Sequence, residues 1–276
     1  MGVTYITSKS NQNFKFIQQI IKSRKKRSLA KLYWLEGEKN LKTFLSFENK
    51  KFISKIVTTE KFSTILQKDY QLDLGRFDVV IFDDKLFREF SLINTKFRAG
   101  LLVAFEPGKK PLRGNDHTDI LYLSDVQDPG NLGTIIRSCA AMNIREIWLS
   151  PNSVDPWSPK VIRSSAGYHS MVRLIVFDSF SSVMEASSKL MLSTFLLSPE
   201  KGGVSLFQQD LRTRNLFIFG SEGKGFPQHL KDKWNFNNVL MIPQIGTVDS
   251  INLSVAASLC IIESRRQKGL LSTTTT

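Results

Sequence analysis

The sequence predicts an α/β protein in two parts: a small α/β domain over residues 1–106 and, beyond a linker at 107–118, a larger domain over 119–270 built on a largely parallel sheet, with a frayed tail at 271–276. Three observations lead there. Short β-like runs alternate with helical segments, the pattern of βα units. The runs of the second half are apolar throughout rather than alternating, as strands covered on both faces must be. Between the halves, Glu106–Asp116 carries two prolines and two glycines with little apolar content, a composition that breaks structure. A chain of 276 residues has room for two domains of ordinary size, about 100–150 residues each.

In the first part, Phe14, Ile17, Ile20 and Ile21 recur at helical spacing, a second helix is expected over Glu38–Leu45, and β-like runs lie at Ile53–Val57, Val79–Phe82 and Leu101–Phe105. Lys22, Arg24, Lys25, Lys26, Arg27 and Lys31 place six positive charges in ten residues without one acid, and Tyr33 and Trp34 follow directly. Cations neutralise phosphates and exposed aromatics stack on unpaired bases, so the run reads as an RNA-docking surface. The competing reading is a solvated helix end with Trp34 in the core, and for Trp34 that reading is preferred.

In the second part the apolar runs are Ile120–Leu123, Glu146–Leu149, Val172–Val176, Thr194–Leu197, Leu216–Phe219 and Val239–Ile242, most of them separated by helical segments. Ligands of parallel sheets bind where loops leave the carboxyl ends of strands, which directs attention to three loops. The first runs from Asp125 to Arg137: Asp128, Pro129 and Gly130 make a turn, and Asn131 can cap a helix on which Thr134 and Arg137 share a face. Arg137 then presents a planar fork suited to a phosphate or carboxylate; the alternative is that Asn131 only caps and Arg137 only makes a surface pair.

The second loop, Phe219 to Pro227, holds Gly220, Gly223 and Gly225 around the acid Glu222. Three glycines let backbone approach a flat ligand, but their order is not that of a dinucleotide fingerprint, and Phe226 stands where a P-loop needs Lys. The third, Ile242 to Ser254, opens a helix through Val255–Ile262 that is apolar nearly all round and so expected to be buried, with Asp249 or Ser250 as its cap. Asn252 and Ser254, if buried with it, need polar partners from backbone or ligand.

Taken together, D-P-x-N-x-G…R, G-x-E-G-x-G and I-P-x-x-G…S-x-N-x-S resemble, in order, spacing and residue type, the SpoU (TrmH-like) branch of the SPOUT RNA methyltransferases, over about residues 119–267. Ile6-Thr-Ser-Lys-Ser-Asn11, the basic helix end and Leu35-Glu36-Gly37 are similar to the L30e-like substrate-binding domain of the same family. The resemblance implies a trefoil knot in the second domain, S-adenosyl-L-methionine as cofactor and a homodimer contacting through the C-terminal helix. It implies that Gly220, Ile242 and Ile251, with Leu197, hold the cofactor, and that Asn131, Arg137, Glu222, Ser250 and Asn252 are the functional positions. The reaction implied is methylation of a ribose 2′-hydroxyl. Arg137 has been assigned as the base by analogy, but a guanidinium with a pKa above about 12 is a poor base near neutrality, so an anchor for RNA phosphate is the better role. Ser221 where Asn is frequent, and Asp249 where Glu is usual, are mild departures; the front domain and Ser221 resemble the ribosomal RNA enzymes more than the transfer RNA ones, which favours ribosomal RNA as substrate.

A formal net charge of +13, with 38 basic residues against 25 acidic, agrees with a polyanionic partner. Cys139 and Cys260 each sit in an apolar helical pattern and are expected as buried free thiols. No apolar run reaches the roughly 18 residues of a membrane span, and the first residues lack the apolar core of a secretory signal, so a cytoplasmic protein is expected. His117, His169 and His229 have no zinc-like spacing, and no metal is expected. A ribosomal-RNA-binding protein without chemistry would also explain the charge and the front domain, though not three intact loops.

Overall fold

The computed structural model describes residues 2–47, 49–89, 91–92, 96–105, 118–199, 202–232, 239–247 and 250–271. The expected linker, apart from Thr118, the expected tail beyond Leu271, and Asp249 lie outside them. The chain forms two compact units, one of Met1–Glu106 with Asp155–Ser170 and the other of Pro107–Val154 with Met171–Thr276.

The first unit carries β1 (Val3–Ile6), α1 (Gln12–Lys22), α2 (Arg24–Ala30), β2 (Leu32–Glu36), α3 (Glu38–Leu45), β3 (Ile53–Thr59), α4 (Glu60–Lys68), β4 (Val79–Phe82), α5 (Asp84–Arg88) and β5 (Ala99–Ala104). Its sheet runs β1-β4-β3-β5-β2, with β1, β4 and β3 parallel and β5 antiparallel to both β3 and β2. Ser23 ends α1 and caps α2, accepting from Lys26 N–H, so the basic run straddles a break between two helices and continues along α2 rather than forming one helix end. Trp34 is buried, its ring lying across Gly100 of β5, where a Cβ would come within 2.3 Å of ring carbons. Tyr33 faces the other way, stacked on Trp157 with ring centroids 5.7 Å apart. Both aromatics that might have met bases are therefore core residues.

The second unit begins with β6 (Ile120–Leu123), α6 (Pro129–Ala141) and β7 (Glu146–Leu149). The chain after β7, including α7 (Pro159–Ser164), packs with the first unit, although the sequence placed it wholly within the second domain. Apolar packing explains the difference: Trp157 and Ile162 join the core of Tyr33, Leu35 and Phe105. The second unit resumes with β8 (Arg173–Val176), α8 (Phe180–Lys189), β9 (Ser193–Leu197), β10 (Val204–Ser205), β11 (Asn215–Phe219), α9 (Gln228–Lys231), β12 (Val239–Met241) and α10 (Leu253–Gln267). Its strands lie in the order β10-β12-β9-β11-β6-β7-β8, and every neighbouring pair is parallel. All residues of β6, β7 and β11 are buried, which is why these runs read as unbroken apolar stretches.

α10 is not apolar all round. Ala257, Cys260 and Ile261 are buried, together with Ser254, Ser264 and Arg265, while Val255 and Ile262 are 49% and 41% exposed. Cys139 and Cys260 are both buried free thiols, and burial pushes both thiols up, away from the reactive thiolate.

Candidate active site

The carboxyl ends of β9, β11 and β12, with the segment entering α10, border a cavity of about 590 Å³ in the second unit. Leu197, Gly220, Ile242 and Ile251, the four positions marked for the cofactor, all line it, as do Glu222, Ser250 and Asn252. Asn131 and Arg137 are not among its lining residues.

The glycine loop after β11 folds back on itself. Ser221 and Gly225 exchange two backbone hydrogen bonds of 3.0 Å, and Gly223 and Gly225 take φ values of +82° and +66° that side chains disfavour. At Gly220 a Cβ would sit 2.2 Å from the Gly225 carbonyl carbon and the Phe226 nitrogen. Two of the three glycines thus serve the turn and the third its closure, which leaves Glu222 projecting from a rigid loop.

The first loop is held from below. Asp125 adopts φ +54°, its carboxylate accepting from Ser150 Oγ at 2.6 Å and its N–H donating to the same hydroxyl at 2.7 Å. Asp128, not Asn131, caps α6: its carboxylate accepts from Gly130 N–H at 2.8 Å, and Pro129 fills the first helical position, where a missing N–H costs nothing. Asn131 is therefore free to reach sideways. Likewise α10 is capped by Asn252, which accepts from Ser254 N–H at 2.8 Å, rather than by Ser250.

These shifts in capping join the three loops. Ser254 Oγ donates to Asn252 Oδ1 at 2.6 Å, Asn252 Nδ2 donates to Asn131 Oδ1 at 3.0 Å, and Asn131 Nδ2 donates to Glu222 Oε1 at 2.8 Å. The second carboxylate oxygen of Glu222 accepts from the backbone N–H of Gln127 at 3.2 Å. Every amide in the chain is thereby oriented, and donors converge on one carboxylate. Asn131 is 7% exposed and buried in this row, whereas Glu222 and Asn252 remain open to solvent. Gln127 is the participant that residue types do not reveal, because it acts through its backbone; its side chain braces the loop by donating to Asp125 O at 3.0 Å and Asn152 O at 2.9 Å.

Arg137 lies exposed on α6 and forms no hydrogen bond or ion pair among the described residues. In the first unit, Lys22, Arg24, Lys25, Lys26 and Lys31 are exposed. Arg27 departs from the expected docking surface: it is 5% exposed, and its guanidinium donates to Ile20 O, Ile21 O and the Asp155 carboxylate at 2.6–2.8 Å. It closes the end of α1 instead of facing phosphate. Among the described residues no group of His, Cys, Asp and Glu could hold a metal ion.

The sequence model of the SpoU rRNA Methylase family matches residues 119–262. An uncharacterized tRNA/rRNA methyltransferase of Synechocystis is 36% identical over 153 residues, 55% of each chain. The 23S rRNA (guanosine-2'-O-)-methyltransferase RlmB of Pseudomonas syringae is 28% identical over 149 residues, covering 54% of this chain and 58% of the relative. The chain thus spans only about half the length of these curated relatives. Its fold is shared with the AdoMet-bound rRNA methyltransferase of Sinorhizobium meliloti, at a TM-score of 0.80 over 98% of this chain and 99% of the other, with 24% identity. With a match that covers more than half of the chain and contains all three motif loops, the protein belongs to the SpoU rRNA methylase family.

Proposed function

We propose that the protein transfers a methyl group from S-adenosyl-L-methionine to a ribose 2′-hydroxyl of RNA, with ribosomal RNA as the substrate. The observation that carries this is the hydrogen-bonded row from Ser254 through Asn252 and Asn131 to Glu222 at the mouth of a cavity bordered by three strand ends. The cavity suits the cofactor: about 590 Å³ is in the range of nucleoside-sized sites, its walls at Leu197, Leu240, Ile242 and Ile251 are apolar, and Gly220 brings backbone to its edge. When bound, the cofactor supplies a methyl group already activated by its sulfonium, so the protein's task is mainly alignment.

Leu197, Gly220, Ile242 and Ile251 hold the cofactor, and Glu222 and Asn252 face the place where cofactor and ribose meet. Asn131 fixes both of these side chains by one amide. Ser250 stands beside Asn252 on the cavity wall and contacts the incoming nucleotide. Arg137, with its fork unengaged, anchors a phosphate of the target nucleotide. Lys22, Arg24, Lys25, Lys26 and Lys31 add sequence-independent attraction for the RNA backbone. Two copies pair through α10, whose exposed Val255 and Ile262 stand two turns apart on one side of the helix. The C-terminal segment threads the knot of the family, and the enzyme works in the cytoplasm; among the described residues no helix is long and apolar enough to cross a membrane.

Incubation with methyl-labelled S-adenosyl-L-methionine and, separately, unmodified ribosomal and transfer RNA tests the reading. Alkali-resistant label in ribosomal RNA is the expected result. Label only in transfer RNA keeps the chemistry and replaces the substrate; cofactor binding without label on either RNA points to an assembling ribosomal particle. Absence of cofactor binding leaves a non-catalytic RNA-binding protein.

A further inference from the structure

The stretch that follows β7, residues 150–154, belongs to none of the three motif loops, yet it grips the first of them. Ser150 Oγ donates to the Asp125 carboxylate at 2.6 Å and accepts from Asp125 N–H at 2.7 Å, so one hydroxyl closes a ring with one residue. Ser153 Oγ stands 3.0 Å behind it, and both serines are buried. Val154 N–H donates to Val126 O at 2.8 Å, and the Gln127 side chain donates to Asn152 O at 2.9 Å. The loop is thus fastened at three successive residues.

Asp125 needs that grip. Its φ of +54° lies in the left-handed region, where Asp is one of the few residues with a side chain that local bonds can hold. Two residues on, the backbone N–H of Gln127 donates to Glu222 Oε2 at 3.2 Å, while Asn131 Nδ2 donates to the other oxygen at 2.8 Å. Two donors therefore aim the carboxylate, and one of them is only as fixed as the backbone from Asp125 to Gln127. Neither Asp125 nor Ser150 lines the cavity. Any part they take in the reaction passes through Glu222.

Resting on the proposed function, in which Glu222 faces the reacting groups, we infer that Asp125 and Ser150 are positioning residues for methyl transfer. They lock the backbone at residues 126–127 and so hold the Glu222 carboxylate at its angle to the cavity. Misplacing a group at a reacting centre by about 1 Å can cost about a hundredfold in rate, so a clamp one loop away has leverage.

The test compares Asp125→Gly, which keeps the backbone angle and removes the carboxylate, with Asp125→Asn, which keeps an acceptor for Ser150, and with Ser150→Ala. For the RNA that the wild type methylates, kcat is expected to fall about thirtyfold in Asp125→Gly and about tenfold in Ser150→Ala, with KM for the cofactor within about twofold. Asp125→Asn should restore kcat to within about threefold of wild type. Coupling separates positioning from mere stability: in a Glu222→Ala background, Asp125→Gly should cost less than about threefold more, because its target is gone. An undiminished loss in that background overturns the inference, as does wild-type kcat in Asp125→Gly. Amide exchange reads the same contact without turnover. Gln127 N–H should exchange about tenfold faster in Asp125→Gly than in the wild type, and an unchanged rate overturns the inference whether or not RNA is methylated. Faster exchange in a protein whose wild type methylates no RNA leaves the clamp standing and removes the proposed reaction.

Discussion

At the end of α10, Asp119 is fully buried and accepts from Asn215 N–H and Nδ2, both at 2.9 Å, from Ser264 Oγ at 2.7 Å and from the Lys268 ammonium, itself almost wholly enclosed. At the start of the same helix, Asn252, Asn131 and Glu222 form a row of similar residue types at a cavity mouth, with two of the three open to solvent. The first cluster has its hydrogen-bonding capacity turned inward and can only hold the helix to the strands. The second is oriented just as firmly but presents its ends outward. Burial, rather than residue type, separates a carboxylate that can only hold the fold from one that the proposed reaction could use.

The comparison breaks most visibly at Asp119. Asp119→Ala leaves the Lys268 ammonium enclosed without its counter-charge, and a loss of about 3–5 kcal/mol in urea unfolding is expected, with turnover per folded molecule unchanged. A loss under about 1 kcal/mol would place that carboxylate outside the set of structural pins. His169 belongs to the same inward class. Burial lowers its pKa from 6.5 to about 4, with the bond to Pro156 O opposing the shift. The unfolded chain binds a proton that the fold refuses, so stability present above pH 6.5 falls as the pH drops towards 4, by up to about 3 kcal/mol. His169→Gln should flatten this part of the stability curve; an unchanged slope would assign the acid sensitivity elsewhere.

The outward cluster should respond in the opposite way. Glu222→Gln turns one acceptor into a donor facing Asn131 Nδ2 or Gln127 N–H, and about a hundredfold loss of methyl transfer is expected with little change in the unfolding midpoint. Turnover within threefold of wild type would remove Glu222 from the site. Arg137→Lys keeps the charge and loses the fork; about a tenfold fall in kcat/KM is expected, and near-normal turnover at neutral pH would count against the bidentate anchor. Smallest is Lys25→Ala, which should lower the slope of log affinity against log salt by about 1 without affecting stability. Arg27→Met should do the reverse, because Arg27 is spent on Asp155.

Much of the second unit was legible. β6, β7 and β11 announce themselves because a strand covered on both faces has no room for polar alternation. β10, two residues long, carries no period, and β2 was hidden because Leu32–Glu36 follows a basic run that looked like the end of a helix. The motif positions were visible, but the direction of their bonds was not. The sequence offers more than one capping residue near each of the two helix starts, and which one caps is settled by Pro129 in one case and by the placement of Asn252 in the other. Nor does a sequence record that Trp157 and Ile162 find their apolar partners far back in the chain, or that a backbone N–H at Gln127 completes the carboxylate.

The centre of the large sheet also fixes an order of events. β6 and β11 lie side by side, with Ile120 opposite Leu216, and Asp119 bonds Asn215 across 96 positions of sequence. Closing such a loop is entropically costly and is rewarded only when the far strand arrives, so nascent β6 waits exposed while most of the unit is synthesised. Four buried apolar residues, Ile120–Leu123, spend that interval without their neighbour on one side. The same parallel arrangement that brings three strand ends around one cavity therefore makes this unit rich in long-range contacts, which slow folding.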